Sequence, residues 1–221
     1  MTPERWEHTC GYLRAVFGTQ DEHLATLMDR AVEAGLPDIA ISADVGRMLM
    51  LLTSMTRGRL AVEVGTLGGY SGIWLARGLK PGGKLITIEV DEKHADFAQQ
   101  QFETAGVADR VELRRGRAED VLDQLAKELP AGSVDVAFLD ADKEAYPGYW
   151  EQLRPMIAAG GLLLADNLLG GGSWWIDEEP GRNASRDAAD AVNRMLAADD
   201  EFTAVTVPIR EGVLIARRME K

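Results

Sequence analysis

Hydrophobic positions along the chain follow two alternating periods. Short aliphatic segments typical of strands lie at 60–64, 84–89, 110–115, 134–140 and 162–165. Longer segments with helical spacing follow them: one running through 73–79, then 92–105, 119–129, 149–159 and 184–197. This regular alternation predicts a parallel sheet with right-handed crossovers. The strand segments VDVAFLD and GLLLAD are apolar enough to be buried on both faces.

Both ends of the chain add elements to this alternating pattern. Two amphipathic helices are predicted at 3–18 and 20–34, and Ser42 is predicted to be the N-cap of a third helix. The last two strands, 202–209 and 212–219, are joined by Arg210-Glu211-Gly212, which predicts an antiparallel hairpin at the sheet edge. No linker or repeat divides the sequence, so we expect a single domain over residues 1–221.

The segment LAVEVGTLGGYSG, residues 60–72, predicts a strand, a glycine turn and a helix. Glycines at such a turn permit positive φ and let a ligand lie directly on the backbone. The helix that follows presents its N-terminal N–H groups to that ligand. Glu89 closes the next strand, where an acidic residue binds the ribose hydroxyls of nucleotide-type cofactors. The same pattern also occurs in turns that are only tight connections.

The order of the glycines narrows the choice of cofactor. Gly65 is followed by Gly68-Gly69, whereas the dinucleotide fingerprint needs Gly-x-Gly-x-x-Gly and a Walker loop needs Gly-Lys-Ser/Thr. The carboxylate of Glu63 would repel a pyrophosphate and would suit a cation. S-adenosylmethionine carries an ammonium and a sulfonium but no phosphate, so the pattern favours it over NAD.

The net charge, the N-terminal residues and the cysteine count limit which classes of function are possible. A net charge of −12 disfavours nonspecific binding to nucleic acid and to anionic membranes. The N-terminal residues MTPERWEHTC resemble no secretory signal or membrane anchor, so we expect a cytoplasmic protein. The single cysteine, Cys10, excludes an intrachain disulfide.

Oxygen ligands follow two further strands. Asp140 ends FLD, and Asp166-Asn167 ends LLLADN, which places them at the carboxyl ends of strands, where open α/β sheets bind ligands. Two carboxylates and an amide oxygen suit Mg²⁺, and Ca²⁺ or Mn²⁺ could replace it. The alternative is that these residues only cap the turns after their strands.

The chain resembles the cation-dependent O-methyltransferases of the caffeoyl-CoA and catechol type over nearly its whole length. The matching segments are SAD at 42–44, EVGTLGGYS at 63–71, IEVDE at 88–92, AGVADRVELRRGRA at 105–118, FLDADKEAY at 138–146, GGLLLADN at 160–167 and the terminal GVLIARR. The resemblance implies a doubly wound, seven-stranded Rossmann-like α/β sheet. That sheet is mostly parallel with an antiparallel terminal strand, has helices on both faces, and usually belongs to a homodimer.

The resemblance also implies roles for individual residues. S-adenosylmethionine would contact Ile41, Glu63, Gly65, Thr66, Ser71, Glu89, Ala118 and Asp142. The metal ligands would be Asp140, Asp166 and Asn167, with Lys143 as the candidate catalytic base. The N-terminal helices, residues 1–58, would contribute to the substrate pocket and to dimer contacts.

These residues predict direct methyl transfer to a small catechol-like phenol. A Mg²⁺ ion held by Asp140, Asp166 and Asn167 would chelate two vicinal hydroxyls and lower the pKa of the one that attacks. Lys143 would take the proton or stabilise the phenolate, although a lysine on a loop is more often a solvated charge. Two alternatives stay open: methylation of a hydroxylated tRNA base by the same fold, and an NAD-dependent oxidoreductase or nucleotide-binding module.

One segment departs from the plant members of the family. Where those commonly have a Trp-Asn pair, this chain has Leu168-Leu169 and three glycines, so the substrate contacts are not carried over. Trp174 or Trp175, which follow, would lie over an aromatic substrate ring or pack against the sheet or a dimer partner. The histidines 8, 23 and 94 have no metal-ligand spacing, and the arginines 110, 114, 115 and 117 are more typical of a solvated strand edge than of a basic patch.

Overall fold

The computed structural model describes residues 2–170 and 179–220. Within them, seven strands form one sheet in the order β3-β2-β1-β4-β5-β7-β6. The strands are β1 Leu60–Val64, β2 Lys84–Glu89, β3 Val111–Arg115, β4 Val134–Leu139, β5 Ile157–Ala165, β6 Phe202–Val207 and β7 Val213–Arg218. The helices are α1 Pro3–Phe17, α2 Glu22–Glu33, α3 Ala43–Met55, α4 Tyr70–Gly78, α5 Glu92–Thr104, α6 Ala118–Glu128, α7 Tyr146–Leu153 and α8 Ala184–Ala197.

The sheet is parallel from β3 to β5 and antiparallel where β7 joins it. β6 pairs antiparallel with β7, so β6 runs in the same direction as β5. The strand order reverses at β1, which lies between β2 and β4. Ligands of doubly wound sheets bind at the carboxyl ends of the strands beside such a reversal. The predicted doubly wound fold and its antiparallel terminal strand are confirmed.

Two hydrophobic layers cover the sheet. One is formed with α6, α7 and α8, and includes Leu122, Trp150 and Val192. The other is formed with α2, α3, α4 and α5, and includes Leu49 and Phe102. Because both faces are buried, the central strands are apolar at nearly every position, as the sequence predicts. No helix in the described part of the chain is both long and apolar enough to cross a bilayer.

The predicted helix at 149–159 is wrong at both ends. Helix α7 spans Tyr146–Leu153 and is followed by a 3-10 turn, Arg154–Met156, and then by β5, which begins at Ile157. Pro155 has no N–H to donate and cannot continue an α-helix. Gly160, expected to stop the helix, lies instead inside β5 with φ +77°, where the pairing with β4 shifts register. The glycine pair therefore marks an irregularity of the strand.

Smaller differences concern element ends. Ser42 is the N-cap residue of α3, as predicted, but its side chain makes no capping hydrogen bond, and its Oγ is buried without a partner among the described residues. The segment predicted to begin β3 forms a 3-10 turn, Ala108–Arg110, before the strand. The fifth strand, predicted at 162–165, begins five residues earlier, at Ile157. The remaining predicted elements agree with the structure to within about three residues at each end, as expected for helix and strand ends.

Candidate active site

The turn after β1 can be built only with glycine at its first position. Gly65 has φ +99°, and a Cβ on it would overlap with the carbonyl oxygen of Asp140, the residue after the neighbouring strand β4. Gly69 has φ +81° and is the N-cap of α4. Gly65 brings the β1 turn against the end of β4, and Gly69 lets the chain turn into α4 beside Phe102.

Glu63 lies beneath this turn and is fully buried. Thr87 Oγ1 donates a 2.6 Å hydrogen bond to its Oε2, whereas its Oε1 has no hydrogen-bond partner among the described residues. Burial raises the pKa of Glu63 to about 7, opposed by hydrogen bonds from Ser71 and Thr87. A buried carboxylate with a free oxygen is costly by itself and is stabilised by a cationic ligand group.

Two adjoining cavities lie at the carboxyl ends of β1, β2 and β4. The larger, about 340 Å³, is lined by Gly65, Glu89, Ala118, Asp140 and Asp142 among others. The smaller, about 140 Å³, is lined by residues that include Ile41, Thr66, Ser71 and Lys143, and it shares Gly65 and Asp140 with the larger one. The structure thus brings seven of the eight predicted cofactor residues to this crevice, and the eighth, Glu63, lies buried under its glycine turn.

Glu89 is held rigidly at the wall of the larger cavity. Its Oε2 accepts a 2.8 Å hydrogen bond from the N–H of Leu67, and its Oε1 accepts from Val90 (3.0 Å) and Asp91 (2.9 Å). A carboxylate offers about four acceptor positions, so one stays available for a ligand hydroxyl. His94 lines the same cavity, with Nδ1 3.8 Å from Glu89 Oε1. No role was predicted for this histidine from the sequence, because it does not have the spacing of a metal ligand.

Asp140 and Lys143 form an ion pair where the two cavities meet. Lys143 lies in the 3-10 turn Lys143–Ala145, and its Nζ donates to Asp140 Oδ1 at 2.8 Å. The two side chains are about one-fifth exposed. The Lys143 ammonium also lies 5.2 Å from the ring centroid of Tyr146, within cation–π range. The turn after β4 therefore holds an acid and a base that both reach the crevice.

Asp166 follows β5 and is buried, with 1% of its surface exposed. Its Oδ1 has no hydrogen-bond partner in the described residues. Burial, and next the negative charge of Asp140, raise the pKa of Asp166 to about 6. Asn167 has φ +65°, an unusual conformation that asparagine tolerates better than most residues. The Tyr146 hydroxyl is shared between the carbonyls of Leu139 (3.1 Å) and Asp166 (3.3 Å) and ties the two strand ends together.

The donor set at the ends of β4 and β5 fits a divalent cation. Burial and, to a smaller extent, the charge of Asp140 raise the pKa of Asp166, and an oxygen of Asp166 is buried there without a hydrogen-bond partner among the described residues. A cation would offset both costs, and two carboxylates with an amide are hard oxygen ligands. The described residues include no cluster of three or more His, Cys, Asp or Glu side chains suited to a metal, in keeping with a candidate set that has only two carboxylates.

Arg210 is a residue near the site that the sequence analysis identified only as part of a hairpin turn. Its Nη1 lies 3.9 Å from Asp166 Oδ2 and donates a 3.3 Å hydrogen bond to the carbonyl of Ala40. The position of Arg210 follows from strand direction. Because β6 runs in the direction of the parallel strands, the turn after it lies at the edge of the sheet that carries Asp140 and Asp166. The predicted roles of Trp174 and Trp175 concern residues 171–178, which lie outside the described part of the chain.

Comparisons with known proteins agree with this arrangement. The model of a family described as O-methyltransferase matches residues 15–219. The catechol O-methyltransferase of Niastella koreensis is 36% identical over 213 residues, which cover 96% of this chain and 94% of that protein. The catechol O-methyltransferase of Mycobacterium tuberculosis is 40% identical over 181 residues, covering 82% of this chain and 77% of its own length.

Solved structures give the same result. The O-methyltransferase TomG of Streptomyces achromogenes, involved in tomaymycin synthesis and solved in complex with SAM, superposes with a TM-score of 0.87 at 33% identity and full coverage of both chains. The O-methyltransferase of Bacillus cereus, solved in complex with SAH, has a TM-score of 0.87 at 32% identity over 97% of this chain and 99% of its own. The resemblance noted from the sequence motifs and the predicted enzyme class are confirmed: the chain belongs to the O-methyltransferase family.

Proposed function

We propose that this O-methyltransferase transfers the methyl group of S-adenosylmethionine to one hydroxyl of a small catechol-like phenol, with a divalent cation at the ends of β4 and β5. The observation that carries the proposal is the position of Asp140. It lines both cavities of the candidate cofactor crevice, pairs with Lys143, and adds, after burial, to the rise in the pKa of the Asp166 carboxyl. One residue therefore joins the cofactor side of the site to the substrate side.

S-adenosylmethionine suits the crevice by charge. Glu63, Glu89, Asp140 and Asp142 lie in or under its walls, and a pyrophosphate placed there would be repelled. Glu89 offers an acceptor to ribose hydroxyls, and Glu63 offers a buried carboxylate near the turn. The two solved O-methyltransferases named above were crystallised with SAM or SAH, which supports the same choice for this chain.

The proposed cation ligands are Asp140, Asp166 and Asn167, and Mg²⁺ is the expected ion, with Ca²⁺ or Mn²⁺ as substitutes. A bound cation would chelate two vicinal hydroxyls and lower the pKa of the attacking one. Residues of the protein provide the remaining contributions to catalysis. Lys143 stabilises the phenolate charge as an ammonium, or accepts the hydroxyl proton once it has lost its own, and the turns after β1 and β4 orient the two reactants.

The transfer itself is a single displacement. The phenolic oxygen attacks the methyl carbon, the carbon–sulfur bond breaks, and its electron pair returns to sulfur, which becomes a neutral thioether. Since charge is neutralised in this step, the site contributes most by orienting the reactants and excluding water. The buried strand ends provide a rigid frame for this purpose.

Neither alternative function gains support from the described residues. A tRNA substrate would need a basic surface, yet Arg114 pairs with Glu112 and Glu128, and Arg115 pairs with Glu92 and Asp96. An NAD-dependent oxidoreductase would need room for a pyrophosphate at the β1 turn, where the acidic residues lie. Both serve as outcomes of the experiment below.

The experiment incubates the purified protein with S-adenosylmethionine and caffeate, protocatechuate or a catechol flavonoid, with Mg²⁺ or with EDTA, and follows methylation by mass spectrometry. Methylated product that disappears with EDTA is the expected result. Product that persists unchanged in EDTA contradicts the cation. Cofactor binding without methylation of any catechol contradicts the substrate class and favours tRNA, which a gel-shift assay at physiological salt then tests. Failure to bind the cofactor contradicts the proposal as a whole.

The proposal also covers the domain organisation, the oligomeric state and the cellular location. We propose a single domain over residues 1–221, a homodimer in which residues 1–58 contribute contacts, and a cytoplasmic location. Exposed apolar side chains on α1, Trp6, Leu13 and Phe17, support a packing role for the N-terminal helices. Light scattering of the full chain and of a Phe17→Ser variant tests the dimer, and a monomeric wild-type protein would contradict it.

A further inference from the structure

Arg210 is a charged side chain at the proposed substrate side whose role the methyl-transfer chemistry does not explain. It lies between β6 and β7, with its guanidinium 3.9 Å from Asp166 Oδ2. Ala40, whose carbonyl it contacts, precedes Ile41 on the segment that lines the smaller cavity. Arg210 thus lies between the segment over the crevice and the proposed cation ligands.

The turn holds Arg210 in this place at a conformational cost. Arg210 has φ +50°, in the left-handed region that is unfavourable for a non-glycine residue. The turn is fixed to the segment after the proposed ligands, since Leu168 N–H donates to Gly212 O (3.0 Å) and Leu169 N–H to Glu211 O (2.7 Å). A strained residue held from two sides near a site points to a role for its side chain.

Most hydrogen-bond donors of Arg210 are unused. The hydrogen bond to Ala40 O takes one of the five N–H groups. The 3.9 Å separation from Asp166 is too long for a hydrogen bond, and Nε lies 3.3 Å from Glu211 Oε2, an oxygen that has no hydrogen-bond partner in the described residues. The side chain is one-fifth exposed, so it is not sealed off from solvent. Lys143, by contrast, already pairs with Asp140 at 2.8 Å.

We propose that Arg210 determines substrate specificity by binding a carboxylate group carried by the catechol substrate. A guanidinium with unused donors can hydrogen-bond the planar, two-oxygen carboxylate group. The site otherwise carries the carboxylates Asp140, Asp166 and Glu211 in a protein of net charge −12, so an anionic substrate needs a dedicated cation. This inference rests on the proposed function and adds the charge class of the substrate.

A competing explanation is that Arg210 only offsets the charge of Asp166. The two explanations differ in what a substitution does. Removing the positive charge disfavours an anionic catechol under either explanation, so the variant that keeps the charge separates them. Lysine has no planar pair of donors, so Arg210→Lys retains the full preference if Arg210 only offsets charge and retains part of it if Arg210 binds the carboxylate. The readout is the ratio of kcat/KM between a carboxylated and a neutral catechol, because a general defect cancels in the ratio.

The test compares protocatechuate, catechol and dopamine, which are anionic, neutral and cationic, in the wild type and in Arg210→Gln, Arg210→Lys and Arg194→Gln. Arg194 is a matched control, since it is exposed on α8 and pairs with Asp190. We expect the wild type to prefer protocatechuate, and Arg210→Gln to reduce the protocatechuate-to-catechol ratio about tenfold to a hundredfold, the usual effect of losing a charged hydrogen bond. Arg210→Lys should retain part of the preference, and Arg194→Gln all of it.

A binding measurement gives a second readout that does not depend on turnover. Calorimetry of protocatechuate and of catechol with the complex of the protein, Mg²⁺ and S-adenosylhomocysteine should show the same change in ratio. Equal losses for all three catechols, full retention of the preference in Arg210→Lys, or a wild type without preference for protocatechuate overturn the role of Arg210 while leaving the methyltransferase proposal intact. A wild type that methylates no catechol overturns both.

Discussion

Two buried carboxylates, Glu63 in β1 and Asp166 directly after β5, each have one oxygen without a hydrogen-bond partner among the described residues. Their surroundings differ. Hydroxyl groups from Ser71 and Thr87 oppose the raised pKa of Glu63, and the nearby charges of Asp140 and Glu89 are negative. Asp166 faces one like charge but also the cations Arg210 and Lys143.

This difference indicates what each region is built to receive. No cation is among the groups that most shift the pKa of Glu63, so under the proposed function its charge would be offset by a ligand that brings a cation, such as S-adenosylmethionine. The Asp166 region already contains two protein cations, Arg210 and Lys143. Under the proposed function, a metal bound by the carboxylates would leave these cations available to substrate groups, whereas the Glu63 region would depend on the cofactor for its positive charge.

The largest effect is expected from a substitution that removes a proposed metal ligand and leaves the fold intact. Asp166→Ala should lower metal-dependent turnover at least about 10³-fold, because a ligand of the proposed cation is lost. Cofactor affinity and thermal stability should change little, since Asp166 Oδ1 has no hydrogen bond to lose within the described part of the chain. Steady-state kinetics, calorimetry with the cofactor and thermal unfolding measure the three quantities. Asp190→Ala on α8 is the control, and full activity of Asp166→Ala would refute the metal site.

The second effect is on the cofactor side. Gly65→Ala should weaken S-adenosylmethionine binding about a hundredfold, because the new Cβ overlaps with the Asp140 carbonyl and must displace one of the two turns. Gly82→Ala is a matched control: Gly82 has φ +79°, but a Cβ added to it would have no described atom within 4 Å. The control should lose about 1–2 kcal/mol of stability and bind cofactor normally. Equal binding by both variants would contradict the prediction.

The third prediction concerns pH. Between pH 4.5 and about 7 the folded protein retains a proton on Glu63 that the unfolded chain has released. The free energy of unfolding of the cofactor-free protein should therefore fall by about 3 kcal/mol as pH rises through this window. Glu63→Gln should remove this component from the pH profile measured by urea unfolding. A profile identical to that of the wild type would show that Glu63 does not cause it.

The smallest effect tests the connection between the strand ends. Tyr146→Phe removes the hydroxyl shared by the carbonyls of Leu139 and Asp166, and should cost about 1 kcal/mol of stability. If the tie positions Asp166, the variant should also need more Mg²⁺ for half-maximal turnover. Tyr12→Phe, on the exposed surface of α1, is the control. An unchanged Mg²⁺ requirement would make the hydroxyl a purely structural contact.

The comparison of Glu63 and Asp166 also explains which features could be predicted. Glu63, Gly65 and Glu89 belong to continuous strand-and-turn patterns, and the buried strands alternate with helices clearly enough to give the sheet. The exception, 149–159, arose because a helical spacing of apolar residues was given more weight than Pro155. Gly160 was assigned to a helix end, although its positive φ serves an irregularity that depends on pairing with β4.

Candidate residues near the substrate side were harder to predict because their partners are distant in the chain. Asp140 and Asp166 were found by their positions after strands, but their effect on each other depends on the separation of two strand ends. His94 and Arg210 carry no motif, and only the packing of α5 and the β6–β7 turn places them near the crevice and Asp166, respectively.

The sequence by itself determined the order of strands and helices, the glycine turn and the residue types at each strand end. These features depend on local backbone preferences and on burial of both sheet faces, which produce a clear periodic pattern of hydrophobic residues in the sequence. Only the tertiary structure decided how far Glu63 and Asp166 are buried, which of their oxygens lack partners among the described residues, and which cations face them. Burial and charge interactions depend on the distances between residues far apart in sequence, and those distances exist only once the sheet has formed.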